Sequence, residues 1–321
     1  MALKKVSLIK KILPEGRDRK LFGALIVIAA NAGGAWTPIG DVTTTMLWIN
    51  GQISAFPTIT HLFLPSILSV ILSTYILQKQ LPENDVIDDS ARENTQLAPR
   101  GKLVFGTGLA GLISVPLFKA ATGLPPYLGI LASLGVMWSL TDAIHAGDKV
   151  SLKAPAALSK IDTSGVLFFL GILLSVGALD SAGLLKSLAE VLENNIPNES
   201  ILATAIGLAS AVIDNVPLVA ATMGMYPVDN VPMDSSLWQL IAFCAGTGGS
   251  IFVIGSAAGV ALMGLEKVDF IWYAKNISFS AFVGYIAGIV TYTIQQQLFN
   301  PVAVNLASDG SIQNIINTLT S

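Results

Sequence analysis

The sequence predicts an all-α polytopic membrane protein with broken transmembrane helices, and three observations predict it. Hydrophobic residues make up 52% of the 321 positions and charged residues only 12%, whereas an average soluble domain is about a quarter charged. Apolar stretches long enough to cross a ~30 Å hydrocarbon core recur along the whole length. Three of those stretches are interrupted by Gly and Pro together with Asp, Asn, Ser and Thr.

The N-terminal "KKVSLIKKILPEGRDRK" is strongly basic. Cationic flanks of a first span chiefly report topology; a transit peptide is the second reading, since such segments are basic and amphipathic. The first apolar stretch runs from Leu21 to Ile53 and is interrupted at 31–41. "ITHLFLPSILSVILSTYILQ" is a second span, and "LPENDVIDDSARENTQLAPRGK" is a solvated loop of mixed charge. "LVFGTGLAGLISVPLFKA" and "PPYLGILASLGVMWSL" are two more spans. A second polar loop, "TDAIHAGDKVSLKAPAALSKID", leads to the span "GVLFFLGILLSVGAL". "DSAGLLKSLAEVLENN" is amphipathic and belongs at the interface. Two interrupted stretches follow, "ILATAIGLASAVIDNVPLVAATMGMY" with "DNVP" inside, and "LWQLIAFCAGTGGSIFVIGSAAGVALMG" with "GTGG" inside. "SFSAFVGYIAGIVTYTI" is a plain last span, ahead of a polar tail.

Two of the breaks resemble each other. Setting "ANAGGAWTPIG" against "AGTGGSIFVIG" puts Ala30 on Ala245, Gly33–Gly34 on Gly248–Gly249 and Ile39–Gly40 on Ile254–Gly255. Corresponding Gly/Pro-interrupted segments in two halves point to a transporter's substrate site, and inverted repeats bring the two breaks face to face near the midplane. The organisation predicted is residues 1–53 as the end of a first repeat (site motif 31–45), 54–162 as connecting spans and loops, 163–297 as a second repeat with a hairpin at 214–217 and a broken helix at 246–256, and 298–321 as a tail. "DNVP" has no counterpart upstream of Asn31, so the first repeat is expected to be incomplete.

Each unsatisfied backbone group in lipid costs several kcal/mol, so an unwound stretch survives only where protein or water surrounds it. Its freed carbonyls are expected to face a cavity and replace water around a cation. A carboxylate at mid-membrane costs about 2.5–3.5 kcal/mol on insertion scales and marks an ion path or proton relay by default. Asp41 and Asp214 are such carboxylates. One Asp holds either a proton or a hard cation, and that competition is a minimal exchange mechanism. Hard cations take oxygen ligands, and these stand nearby in sequence: Asn31, Thr37, Thr43, Thr44 and Thr45 around Asp41; Asn215, Thr247, Ser250 and Ser256 around Asp214. With two His and one Cys in the chain, no transition-metal cluster, disulfide framework or cofactor is expected. Blander roles compete. Asp41 suits an N-cap for "VTTTMLWI", and Asp214–Asn215 suits a turn before Pro217. Asp162 in "SKIDTSG" is read first as a helix cap, and Asp180 in "GALDSAG" stays open.

These residues also carry a family likeness. "NAGGAWTPIGDVTTTMLWI" closely resembles the hallmark of the NhaD-type Na⁺/H⁺ antiporters, within the wider ion-transporter superfamily, and "SAVIDNVPLVAATMGMY" and "IAFCAGTGGSIFVIGSAAGVALMG" resemble that family's second-half motifs. The likeness runs from Val6 to about Gln297. "APRGKLVFGTGLAGLISVPLFKAATGLPPYLGILASLGVMWSLTDAIHAG" is most similar to plant and algal plastid members. The resemblance implies an inverted-repeat fold with re-entrant hairpins, usually in a homodimer, exchanging Na⁺ (or Li⁺) for H⁺ without nucleic-acid partners. The membrane implied is the plastid envelope, or the bacterial inner membrane if the plant likeness fails. The ion- and proton-binding positions implied are Asn31, Asp41, Thr43, Thr44, Asp214, Asn215, Ser250 and Ser256, with Na⁺ at Asp41, Asp214 and Asn215. Thr37, Thr247, Asp162 and Asp180 follow in a second rank. Family members carry further N-terminal spans, including a hairpin that pairs with "DNVP"; the chain is therefore expected to look N-terminally truncated.

Three rivals remain at this stage. An anion or organic-acid transporter of the same superfamily would favour Lys or Arg in the breaks, and there are none. An intramembrane aspartyl protease would need Gly-x-Gly-Asp where the chain has Pro38-Ile39-Gly40-Asp41. A non-transporting fragment of an antiporter is the third.

Overall fold

The computed structural model describes residues 16–80, 100–144, 154–158, 163–196, 198–226 and 228–299. All regular structure among the described residues is helical. In chain order the helices are α1 (Arg17–Ala35), α2 (Val42–Ile49), α3 (Ala55–Gln78), α4 (Gly101–Thr122), α5 (Pro126–Ile144), α6 (Ala154–Leu158), α7 (Thr163–Ser181), α8 (Leu184–Asn195), α9 (Glu199–Ser210), α10 (Asn215–Met225), α11 (Ser236–Gly248), α12 (Ala257–Glu266), α13 (Phe270–Asn276) and α14 (Ser278–Phe299). By length and composition α3, α4 and α5 are each able to cross a membrane, and α13 with α14 pass the same test only as a pair bent by 57°. This is an integral membrane protein.

The chain divides into two compact units, Met1–Asp85 with Leu188–Ser321, and Val86–Ser187. In the second unit α4 packs on α5. Gly123, at φ +70, ends α4 and turns the chain, the left-handed conformation that glycine adopts without a Cβ penalty. Small residues let the pair close up: Ser133 Oγ donates to the Gly111 carbonyl at 3.1 Å.

The first unit carries the interrupted helices. The first break is shorter than expected: α1 stays helical through Ala35, so Asn31, Gly33 and Gly34 lie on a helix and only 36–41 is irregular. Gly–Gly in lipid does not by itself unwind a helix when neighbouring elements pack on it. The second break spans 249–256 rather than 246–256, and the third spans 211–214, leaving Asn215 and Pro217 in the first turn of α10. Pro suits a first helical turn because its missing N–H has no intrahelical partner there.

Each restart has a local cause. Asp41 and Thr44 form a capping box, in which Asp41 N–H donates to Thr44 Oγ1 at 3.2 Å and the Asp41 side chain caps α2; such a box satisfies two orphan amides of the helix N-terminus reciprocally. Ser256 Oγ accepts from Gly259 N–H at 3.2 Å to start α12. Asn198 Oδ1 accepts from Ser200 and Ile201 to start α9.

The two broken helices pack against each other. α12 lies on α1 and α11 on α2; α11 also meets α1, and α14 runs along α3. Leu21, Ala24, Val27 and Ile28 of α1 form a core with Leu77, Val253, Leu262, Tyr273 and Ile277. Along α3 and α14 the contact is made by small residues: Ser73 Oγ donates to the Ser280 carbonyl at 3.0 Å, and a Cβ on Gly284 would lie 2.5 Å from the Ser69 carbonyl oxygen. Close backbone approach through Gly and Ser is how membrane helices associate without a hydrophobic driving force.

Candidate functional site

Asp41 stands at the restart of the first broken helix and is held from three directions. Val42 N–H donates to Oδ1 at 2.8 Å, Thr43 Oγ1 donates to Oδ2 at 2.8 Å, and Asn215 Nδ2, on the first turn of α10, donates to Oδ2 at 3.2 Å. The capping role and the network role thus coincide in one carboxylate. Asp214 is half-buried at the N-cap of α10, directly before Asn215.

A second polar knot lies between the two breaks. Asn31 Nδ2 donates to Ser250 Oγ and to Ser256 Oγ, both at 2.9 Å and all buried. Asn31 reaches these partners because α1 is helical at that point and presents the side chain to the second break. Six of the expected positions therefore share two networks, Asp41–Thr43–Asn215 and Asn31–Ser250–Ser256. Thr44 serves the cap and donates to the Gly34 carbonyl at 3.5 Å. Thr247 Oγ1 donates to its own helix at Phe243 O, 2.6 Å away. Thr37 lines the turn at Gly40, whose N–H donates to the Thr37 carbonyl at 3.1 Å. Asp180 is exposed near the end of α7, in the other unit, and Asp162 lies outside the described residues.

Two carbonyls of the second break meet protein side chains instead of the cavity expected for freed carbonyls. Tyr273 Oη donates to the Ser250 carbonyl at 2.9 Å, and Ser278 Oγ donates to the Ile251 carbonyl at 2.5 Å. Protein side chains take these two acceptors. Tyr273 was missed because it sits in the apolar run "FIWYAKN", where an aromatic signals anchoring.

The two breaks also match in detail. A Cβ on Gly34 would lie 3.0 Å from Asp41 Cβ and 3.1 Å from the Gly40 carbonyl oxygen; a Cβ on Gly249 would lie 3.2 Å from Ser256 Cβ and 2.5 Å from the Gly255 carbonyl oxygen. In each, a glycine at the end of the first helical segment admits the backbone just before the next cap. Gly246 in turn approaches Ala35, at 3.3 Å from its Cβ position, where Asn31 approaches Ser250.

A polar clasp that the sequence did not announce joins the start of α11 to the start of α3. Asp234, at φ +63, accepts from Ser54 N–H at 2.7 Å, Ser54 Oγ at 2.6 Å and Gln239 Nε2 at 3.0 Å. Arg19 Nε donates to Glu266 Oε2 at 2.6 Å, joining the start of α1 to the end of α12.

The citrate transporter family profile matches residues 6–246. Sodium/proton antiporter 1 of Arabidopsis thaliana is 60% identical over 308 residues, covering 94% of this chain and 53% of that protein. Sodium/proton antiporter 2 of the same plant is 56% identical over 293 residues, covering 89% and 70%. The chain belongs to the citrate transporter family, in its sodium/proton antiporter group. The bacterial side of this group is represented by the Na(+)/H(+) antiporter NhaD of Vibrio cholerae, 31% identical over 296 residues, with 84% of the chain and 60% of that protein covered. The chain spans about half the length of the first of these antiporters. The family and these relatives are transporters rather than enzymes.

Proposed function

We propose that this antiporter-family chain carries the ion-exchange core of a secondary transporter that moves Na⁺, with Li⁺ as a substitute, against H⁺. The observation that carries the proposal is the Asp41 carboxylate, held by Thr43 and Asn215 where three helix ends meet, with Asp214 next to Asn215 at the N-cap of α10. An Asp can take a proton or a hard cation. The Thr43 hydroxyl has lone pairs as well as a proton, and the Asn215 amide has an oxygen as well as the donating nitrogen. Both donors to Asp41 become ligands when a cation arrives, by a hydroxyl rotation and an amide turn. Asn31, Ser250 and Ser256 offer a second set of neutral oxygens across the breaks. The plant and bacterial relatives are named sodium/proton antiporters, the same pair of cations.

The finer architecture is part of the same proposal. The two broken helices are the equivalent elements of two inverted repeats, α9–α10 is the re-entrant hairpin of the second, and the transporter works as a homodimer. The paired glycine contacts and the packing of α11 and α12 against α1 and α2 support the repeat. The plastid envelope is the proposed membrane, supported by greater identity to the plant antiporters than to the bacterial one; a fluorescent fusion expressed in plant or algal cells checks it. The family's citrate label favours an organic anion as the rival substrate, but the three breaks hold no Lys or Arg to pair with one.

The test is sodium-dependent dequenching of a pH dye in proteoliposomes, with this chain alone and with a full-length antiporter carrying the same motifs. Exchange is expected in the full-length protein and is abolished by Asp214→Asn. Unaltered exchange in that variant removes Asp214 from the mechanism. Exchange by the long protein but not by this chain identifies the chain as a non-transporting part.

A further inference from the structure

The clasp at Asp234 holds more oxygen than its own hydrogen bonds use. Ser54 N–H and Gln239 Nε2 donate to Oδ1 at 2.7 and 3.0 Å, and Ser54 Oγ donates to Oδ2 at 2.6 Å. A carboxylate offers about four lone-pair sites, so three donors leave one. Two side-chain amide oxygens in the same cluster, Gln52 Oε1 and Gln239 Oε1, have no hydrogen-bond partner. Gln52 is 4% exposed and Gln239 0%. Both residues already touch Asp234. Gln239 reaches Oδ1 with the nitrogen of the same amide whose oxygen is unpartnered, and the Gln52 backbone carbonyl accepts from Asp234 N–H at 2.8 Å. Thr58 Oγ1 lies 3.5 Å from Gln239 Nε2 and gives its proton to the Ser54 carbonyl at 2.7 Å, which leaves its lone pairs to accept.

Buried polar side-chain atoms are mostly partnered, so two orphans around one carboxylate call for a shared cause. Every group left over in this cluster is an acceptor. A water molecule has two protons, too few for the carboxylate and both amides together, whereas a cation meets all of them at once. One carboxylate among neutral oxygens suits a single positive charge; Ca²⁺ sites gather more carboxylates and more ligands. Charge points the same way. Among the described residues no Lys or Arg forms an ion pair with Asp234. The spacing that sets Ala30 on Ala245 sets Arg19 on Asp234, and Arg19 pairs with Glu266 at 2.6 Å. The clasp at the start of α1 thus carries its own cation, and the clasp at the start of α11 carries a carboxylate with neutral partners. That comparison rests on the repeat proposed above; the donor set does not.

We propose that the Asp234 clasp binds a monovalent hard cation, Na⁺ or Li⁺, and that this ion fastens the start of α3 to the start of α11. Asp234 supplies the charge, and Gln52 Oε1, Gln239 Oε1 and Thr58 Oγ1 supply neutral oxygens. Asp234 and Ser54 are partly exposed, so the ion has a way in where the two helices begin. No residue is shared with the Asp41 and Asn31 networks. Sodium therefore stabilises the folded chain through a site other than the exchange carboxylates.

The test heats the full 321-residue chain in mild detergent, with NaCl replacing choline chloride at constant ionic strength. The chain carries Asp41→Asn and Asp214→Asn, which remove both carboxylates of the exchange site. A ligand that binds only the folded state raises Tm with the logarithm of its concentration, here by roughly 3–6 °C per tenfold rise in Na⁺ above the dissociation constant. Asp234→Asn keeps an acceptor for Ser54, removes the charge and abolishes the rise. Gln52→Met removes one orphan oxygen and moves the onset of the rise to at least about tenfold higher Na⁺, the effect of about 1.4 kcal/mol. If that oxygen has no ligand, deleting a buried unpartnered amide instead raises Tm equally with and without Na⁺, and that result overturns the proposal. So does the absence of any rise, or a rise unchanged by Asp234→Asn. Gln52→Glu keeps an oxygen, adds a charge and moves the onset to lower Na⁺; it decides the matter where Gln52→Met does not fold, and an onset unchanged or moved to higher Na⁺ overturns the proposal. None of these readouts involves ion exchange, so their failure leaves the exchange proposal intact, and loss of exchange in Asp214→Asn leaves the clasp untouched.

Discussion

Two glycines from the matched motifs, Gly249 and Gly33, respond oppositely to one added methyl group. Gly249 has φ −59, an ordinary helical value that alanine adopts freely. Its obstacle is space: the new Cβ would lie 2.5 Å from the Gly255 carbonyl oxygen, a backbone atom. Gly255 has no room to retreat, because its own Cβ direction is 2.6 Å from the Ser210 carbonyl oxygen. The second break must therefore open, and overpacking of this kind costs about 1–3 kcal/mol. At Gly33 nothing lies within 4 Å and the residue is inside α1, so alanine gains roughly 0.5–1 kcal/mol of helix propensity. For a unit of this size, Gly249→Ala lowers Tm by roughly 2–10 °C, and Gly33→Ala raises it slightly. The assay heats purified protein in mild detergent with a thiol-reactive fluorophore, since the buried Cys244 becomes reactive as the core opens. A Gly249→Ala variant melting at or above wild type, or a Gly33→Ala variant falling as far as Gly249→Ala, refutes the steric argument.

Other variants separate structure from transport. Asp41→Asn keeps an amide that caps helices well, so stability stays within about 1 kcal/mol, while sodium-dependent exchange in the full-length protein is lost; liposome flux beside a melting curve checks both. Asn31→Ala removes the shared donor from buried Ser250 and Ser256, costing about 1–3 kcal/mol and seen as a lower melting temperature. Asp234→Ala strips three hydrogen bonds from the clasp between α11 and α3, whereas Asp234→Asn keeps an acceptor and tolerates the left-handed backbone. The alanine variant is therefore the less stable of the two, by about 1–3 kcal/mol in denaturant or thermal unfolding.

Much of the site was legible because its causes are local. Asp41 follows a Gly and precedes three Thr, a pattern that predicts a cap at a helix restart, and the capping box is there. The alignment of Ala30 with Ala245 anticipated glycine contacts that the two breaks share. The break boundaries were less legible. "NAGGA" contains two helix-weakening glycines, yet it stays helical because α1 is packed against α11 and α12, and tertiary contacts outweigh a propensity deficit of about 1 kcal/mol per glycine. The clasp at Asp234 left no signal, since an Asp in the polar stretch "PVDNVPMDSS" looks like any solvated loop acid.

The sequence by itself determined which stretches are apolar, that three of them are interrupted, and which residue types stand near the interruptions. Those properties follow from hydropathy, from backbone preferences and from the reach of a side chain to its neighbours a few positions away. Only the tertiary structure decided which interruptions meet. Asn31 finds Ser250 and Ser256 more than two hundred residues away, Asn215 finds Asp41, and Tyr273 and Ser278 take the carbonyls that the second break releases. Such pairings depend on how helices cross and how closely glycines let them approach. No local pattern encodes that geometry, because it is a property of two surfaces at once.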